Sequence, residues 1–201
     1  MIESIASGSG RVCHSLSHYP RVSRLTRKVT RVENVTDTAI YHAPSTVQTV
    51  MDGNLAGITL DRPRVIVDVN LLIVSNGQIL LGRRCGTGFA DGQYSVPAGH
   101  LELGESVVLA AVREAKEELN INVNPNEMRF VQVMHNSYGI GRLAFFFEIE
   151  RWDGDIANME PHKCDDLRWF DPGDLPANMV PYIREAIDHY LNGRALTLYG
   201  W

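Results

Sequence analysis

The sequence predicts an α/β domain built on one mixed β-sheet with helices packed against it. Three observations carry that expectation. Runs dense in β-branched and aromatic residues recur between about 65 and 152, glycine-containing turns separate them, and two stretches with helical apolar spacing lie at 106–119 and 181–191. Strands and helices do not alternate in regular βαβ order, so a doubly wound parallel sheet is not expected.

The first strand is read at Val65 to Val74, where Val, Ile and Leu dominate. Ser75-Asn76-Gly77-Gln78 follows as a hairpin turn, because Asn-Gly tolerates positive φ at two successive positions. Ile79 to Arg84 is the return strand, 86–92 a glycine-punctuated loop, and Tyr94 to Pro97 a short strand. Ser106 is placed to cap a helix reaching Leu119, whose Val108, Ala111, Val112, Ala115 and Leu119 form one apolar stripe. Strands are expected at about 128–136 and 142–152, a further one at Leu167 to Phe170, and a last helix over about 181–191. Tyr94 and the run Phe145-Phe146-Phe147 are expected in the core, with alternate members of the run facing opposite sides of the sheet.

The 201-residue chain holds 19 Lys plus Arg against 24 Asp plus Glu, a formal net charge of −5. That balance argues against tracking duplex nucleic acid, which requires phosphate-neutralising cations. The longest apolar stretch is interrupted by Asp68 and Asn70 and falls well short of the roughly 20 residues that span a bilayer, so no membrane segment is expected. Cys13, Cys85 and Cys164 are scattered and odd in number, and read as free thiols. Residues 1–31 carry Arg11, Arg21, Arg24, Arg27, Lys28 and Arg31 against Glu3 alone, a net +5 that leaves −10 for the remainder. The division is therefore an N-terminal extension over 1–60 and a domain over 61–201. The expected location is cytoplasmic, or an organelle if the Arg- and Ser-rich segment 1–31 is a transit peptide.

The chemically informative segment runs from Gly99 to Ile121. At roughly 100° per residue, Glu114, Glu117 and Glu118 share a helix arc of about 100°, away from the apolar stripe. Crowded carboxylates repel one another, and a divalent cation turns that repulsion into a binding site. Hard oxygen donors suit Mg²⁺, with Mn²⁺ as the alternative.

Gly99, Glu105, Arg113, Glu114, Ala115, Glu117, Glu118 and Ile121 occupy the positions of the Nudix box, and the chain resembles a Nudix hydrolase of MutT type over about 64–191. Asn120 stands where the pattern usually has Gly, and Pro97-Ala98-Gly99 replaces the commoner Pro-Gly-Gly. Asn tolerates the left-handed helix end that this Gly supplies. The resemblance implies an α/β/α sandwich, metal binding by the Gly99 carbonyl with Glu114, Glu117 and Glu118, and an Arg113–Glu105 salt bridge bracing loop and helix. It also implies cleavage of a phosphoanhydride in a nucleoside diphosphate linked to another moiety, with a nucleoside triphosphate, noncanonical or oxidised ones included, as the favoured case, giving monophosphate and pyrophosphate. The alternatives are a nucleotide-sugar or dinucleotide pyrophosphatase, and a non-catalytic nucleotide-sensing module.

Outside the box, Arg84 and its neighbour Arg83 match a substrate-contacting position of MutT-type members. Asn158 to Cys164 resembles an E-P-x-K-C segment that makes Glu160 a candidate further carboxylate. His135 is a candidate for base recognition, against a structural histidine on a strand. The expected partner is a small-molecule nucleotide, and a homodimer stays open.

Overall fold

A computed structural model describes residues 64–201; the extension over 1–60, with its Arg-rich segment and Cys13, lies outside the described residues. The elements are β1 (Ile66–Ser75), β2 (Gln78–Arg84), β3 (Tyr94–Ser95), β4 (Ala98–His100), α1 (Val107–Leu119), a 3₁₀ turn (Pro125–Glu127), β5 (Arg129–Asn136), β6 (Arg142–Ile149), β7 (Cys164–Phe170), α2 (Pro181–Leu191) and β8 (Leu196–Tyr199).

β1 is the hub. It pairs antiparallel with β4 and parallel with β6; β6 pairs antiparallel with β5, and β5 parallel with β8. The end of β1 turns through Asn76 (φ 51°) and Gly77 (φ 79°) into β2, which is flanked by β3 and β7. The sheet is mixed, as expected, and the Asn-Gly turn adopts the backbone that motivated its reading.

Side-chain alternation along β1 sorts the core into two layers. Val69, Leu71 and Ile73 pack with Ala110, Ala111, Ala115 and Leu119 of α1. Leu72 faces the other way, into a cluster with Phe146 and with Ile183, Ala186 and Ile187 of α2. The Phe run divides accordingly, Phe145 and Phe147 toward α1 and Phe146 toward α2. A helix on each face of the sheet makes the domain an α/β/α sandwich. No described helix is long and apolar enough to cross a membrane.

Four boundaries differ from expectation. The strand read over 94–97 splits at Val96-Pro97, since proline has no N–H to donate. Tyr94–Ser95 pairs with β2, whereas Ala98–His100 pairs with β1. β6 stops at Ile149, β7 begins at Cys164 inside the expected loop, and β8 is an additional edge strand. Cys85 and Cys164 are free thiols.

Candidate active site

Two local devices fix the helix that carries the carboxylates. Ser106 Oγ accepts from the N–H of Leu109 at 3.2 Å and caps α1. Asn120 ends it in the left-handed region at φ 60°, its N–H reaching back to the carbonyls of Ala115 and Lys116. Between them the helix lies against β4, and the approach is tight. A Cβ at Gly99 would fall 1.7 Å from Glu114 Oε1 and 2.0 Å from its Cδ, so no side chain fits there. The N–H of Ala98 donates to Glu118 Oε2 at 3.1 Å, which ties the last carboxylate of the helix to the same strand.

Arg113 organises the other side. Its Nη2 donates to Glu105 Oε1 at 2.8 Å and to the His100 carbonyl at 3.0 Å, and its Nε reaches Glu105 Oε2 at 3.2 Å. Its Nη1 donates to Glu114 Oε1 at 2.7 Å and Glu117 Oε2 at 2.9 Å. Glu105 also accepts from the N–H of Glu102 at 2.8 Å. The Arg113 hydrogen bonds hold the Glu105 carboxyl below the usual carboxylate range. Burial acts oppositely on the helix face. It raises Glu114 despite the Arg113 hydrogen bond, and it pushes Glu118 up to about 8, helped by the charges of Glu114 and Glu160 and opposed by the Ala98 N–H.

These side chains line one lobe of a cleft, of about 470 Å³. Gly99, Arg113, Glu114, Glu117, Glu118, Glu160, Arg83 and Arg84 all border it; Glu105 does not, and stands behind Arg113. Glu160 Oε1 accepts from Lys163 Nζ at 2.7 Å, and that ammonium also borders the lobe. Arg83 Nε pairs with Asp165 Oδ1 at 2.7 Å. Arg84 donates from Nε to the Phe89 carbonyl at 2.8 Å and from Nη2 to Thr87 Oγ1 at 3.1 Å.

His135 is not brought to the cleft. Its register partner on β6 is Leu143, on the α1 side of the sheet, and its ring packs on Trp201 with centroids 4.6 Å apart. Lys163 lies inside the Asn158 to Cys164 segment, but nothing in the sequence marks its ammonium as bordering the lobe. Nor does the sequence mark Asp68 and Arg142, which are 74 positions apart and meet only through the β1–β6 pairing.

The donors fit a hard divalent cation, being carboxylate and carbonyl oxygens with no thiolate among the predicted ligands. Among the described residues, however, no three His, Cys, Asp or Glu side chains converge closely enough to enclose an ion. Glu114 and Glu117 are both held by Arg113 Nη1, and Glu117 is an exposed side chain.

A family model for the NUDIX domain matches residues 62–190. The chain belongs to the Nudix family. It is 33% identical over 129 residues to the NAD-capped RNA hydrolase NudC of Stutzerimonas stutzeri (strain A1501), covering 64% of this chain and 44% of that protein. The NudC of Pseudomonas putida (strain W619) is 32% identical over 114 residues, covering 57% and 39%. The chain thus spans less than half the length of the curated relatives it matches. Among solved structures, the MutT NUDIX hydrolase from Burkholderia pseudomallei superposes with a TM-score of 0.57 at 26% identity, over 62% of this chain and 97% of that one. The E. coli ORF135 protein gives 0.56 at 24% identity, over 66% and 92%, a likeness of fold.

Proposed function

We propose that this Nudix-family chain is a metal-dependent pyrophosphohydrolase acting on a nucleoside diphosphate linked to another moiety, with a nucleoside triphosphate as the favoured substrate. One observation carries the reading: Glu114, packed on Gly99, and Glu118, accepting from the Ala98 N–H, border the same lobe as Arg84 and Lys163. Negative groups suited to a cation and positive groups suited to phosphate thus line one lobe.

Glu114, Glu117, Glu118 and the Gly99 carbonyl would hold Mg²⁺ or Mn²⁺, which supplies charge neutralisation at the phosphate oxygens and a more acidic water. Arg113, anchored on Glu105, sets the height of the Glu114 and Glu117 carboxylates. Arg84 and Lys163 face the anionic chain of the substrate. Glu160 has Oε1 tied to Lys163, leaving Oε2 to take the proton of the attacking water. The water oxygen bonds to phosphorus, the phosphoanhydride P–O bond breaks, and pyrophosphate leaves with its electron pair.

The Asn158 to Cys164 loop resembles an E-P-x-K-C segment of Nudix enzymes that act on nucleoside triphosphates, which supports the triphosphate. The NudC relatives support a second reading, a dinucleotide split into two monophosphates. A screen of nucleoside triphosphates, nucleotide sugars and dinucleotides decides between them, run with Mg²⁺, with Mn²⁺ and with EDTA. We expect turnover with either metal and none with EDTA. Nucleotide binding without turnover under every condition would favour a sensing module instead.

A further inference from the structure

Arg83 and Arg84 both border the carboxylate lobe, and Arg84 also borders an adjoining second lobe of about 730 Å³. The fold holds the two arginines differently. Arg83 Nε pairs with the Asp165 carboxylate at 2.7 Å, which offsets its charge. Arg84 gives its Nε to the Phe89 carbonyl at 2.8 Å and its Nη2 to the Thr87 hydroxyl at 3.1 Å, both uncharged acceptors. A guanidinium fixed by neutral acceptors keeps its charge for an anion, and its planar fork suits phosphate oxygens.

Both acceptors belong to the loop over 86–92, and one carboxylate organises that loop. Asp91 Oδ1 accepts from Thr87 Oγ1 at 2.6 Å and from the Thr87 N–H at 3.1 Å, while Oδ2 accepts from the Gly88 N–H at 3.0 Å. The Thr87 hydroxyl, with the Gly88 and Thr87 N–H groups, holds the Asp91 carboxyl below the usual carboxylate range. A hydroxyl has one hydrogen to give and two lone pairs. With that hydrogen drawn to the Asp91 carboxylate, the lone pairs of Thr87 Oγ1 are left for Arg84 Nη2 at 3.1 Å and the Phe89 N–H at 3.3 Å. The Phe89 carbonyl, 2.9 Å from the same hydroxyl, is the uncharged and weaker competitor for the hydrogen, so it stays open to Arg84 Nε. Ala90 lies in the left-handed region at φ 52°, a backbone that a Cβ resists and that persists only where its surroundings fix it.

We propose that Asp91 is the positioning residue for Arg84: its carboxylate sets the Thr87 hydroxyl and the loop, and these aim the guanidinium at the phosphate chain of the substrate. The inference rests on the hydrolase reading above. Asp91 touches no reacting atom in this scheme; it acts through Thr87 and Arg84.

The test pairs kinetics with NMR on the full chain. On whichever of ATP, GTP, CTP and UTP the parent hydrolyses fastest with Mg²⁺, Arg84→Gln should raise KM by about 10- to 100-fold, as for a lost charge-assisted hydrogen bond. Asp91→Ala should raise it about 5- to 10-fold with kcat within about threefold, the split expected when uniform binding is lost. In the Arg84→Gln background, Asp91→Ala should add less than about twofold, because the residue it acts through is gone. The second readout needs no substrate. The Arg84 Nε–H signal, assigned by its disappearance in Arg84→Gln, should exchange with water at least ~10-fold faster in Asp91→Ala than in the parent. Thr87→Val, which removes the hydroxyl and keeps the shape, should do the same, and Thr87→Ser should regain slow exchange. If Asp91→Ala fails to fold by circular dichroism, Thr87→Val carries the same expectations. An unchanged KM in Asp91→Ala, a full additional loss in the double variant, or an unchanged Arg84 Nε–H exchange rate would each overturn the proposal. A parent chain that hydrolyses none of the four triphosphates overturns the favoured substrate, whereas slow Nε–H exchange that Asp91→Ala abolishes upholds the hold of Asp91 on Arg84.

Discussion

The two helices of the sandwich are similar in length and both bury an apolar stripe, but they are secured in different ways. α1 has a side-chain cap at Ser106, a left-handed end at Asn120 and a guanidinium bridging its polar face to the preceding loop. α2 begins at Pro181 after Val180 with no side-chain cap, and ends on Asn192 at φ −91°, ordinary right-handed backbone. α1 buries mainly alanines against β1, which permits close approach; α2 buries Ile183 and Ile187, which fill space. The helix that carries carboxylates is held to a definite height, whereas the other covers a sheet face. Rotation of α1 by one residue would remove Glu114 from Gly99, whereas the same slip of α2 would bring Arg184 and Asp188 to the places of Ile183 and Ile187 and cost apolar burial without moving any of the carboxylates on α1.

The sharpest way to break this contrast is at the charges themselves. Glu118→Gln should lower kcat by ~100-fold or more, the order seen when a preorganised electrostatic group is removed. Asp188→Asn, on an exposed part of α2, should leave kcat within about twofold. Steady-state kinetics with circular dichroism as the folding control compares the two, and near-normal turnover by Glu118→Gln would remove that residue from the site. Next is Gly99→Ala. Its methyl collides with Glu114, so the variant should lose about 1–3 kcal/mol in a denaturant melt and most of its activity.

The helix ends give a paired test of smaller size. Asn120→Val should cost roughly 1 kcal/mol or more because a β-branched residue resists φ 60°, and Asn120→Gly should be near neutral. The same change at Asn192 meets no positive φ and should stay within about 0.5 kcal/mol, the range of an ordinary surface substitution. Equal melting shifts at both positions would abolish the distinction drawn between the two helices.

Acidity separates the two sides of α1 itself. Glu105 is held below the usual carboxylate range, so its contribution to stability is complete above the unfolded value and is lost as pH falls through the folded one. Glu118 is displaced upward to about 8, so the folded chain binds the extra proton, and metal-free stability should decline as pH rises from about 4.5, the ordinary carboxylate value, toward 8. Thermal melts of metal-free protein should show both limbs. Glu105→Gln should flatten the acidic one, and Glu118→Gln the neutral one.

Much of α1 was legible in the sequence because its determinants are local. Ser106, Asn120, the Asn76-Gly77 turn and the spacing of the carboxylates each act within a few residues of themselves. Features set by long-range register were not legible. The facing of His135 depends on how β5 pairs with β6, since one step along a strand reverses a side chain. The Asp68–Arg142 ion pair depends on the β1–β6 pairing in the same way. β8 has four residues and only an edge to pair with, too little periodicity to stand out from a turn. The change of partner strand at Val96-Pro97 has a local cause in the proline, but its destination is tertiary.

β4 is only three residues long, yet its Ala98, Gly99 and His100 border both lobes of the cleft. For an engineer this divides the molecule into two kinds of position. Changes at Tyr138 touch only the second lobe, of about 730 Å³, whereas changes at Phe89 reach the Arg84 guanidinium that lies over its ring and borders both lobes. Changes at 98–100 alter both lobes together, because the strand is a wall common to them. On the proposed function, a directed-evolution library at Tyr138 varies the second lobe alone, while one that includes β4 alters both lobes at every step.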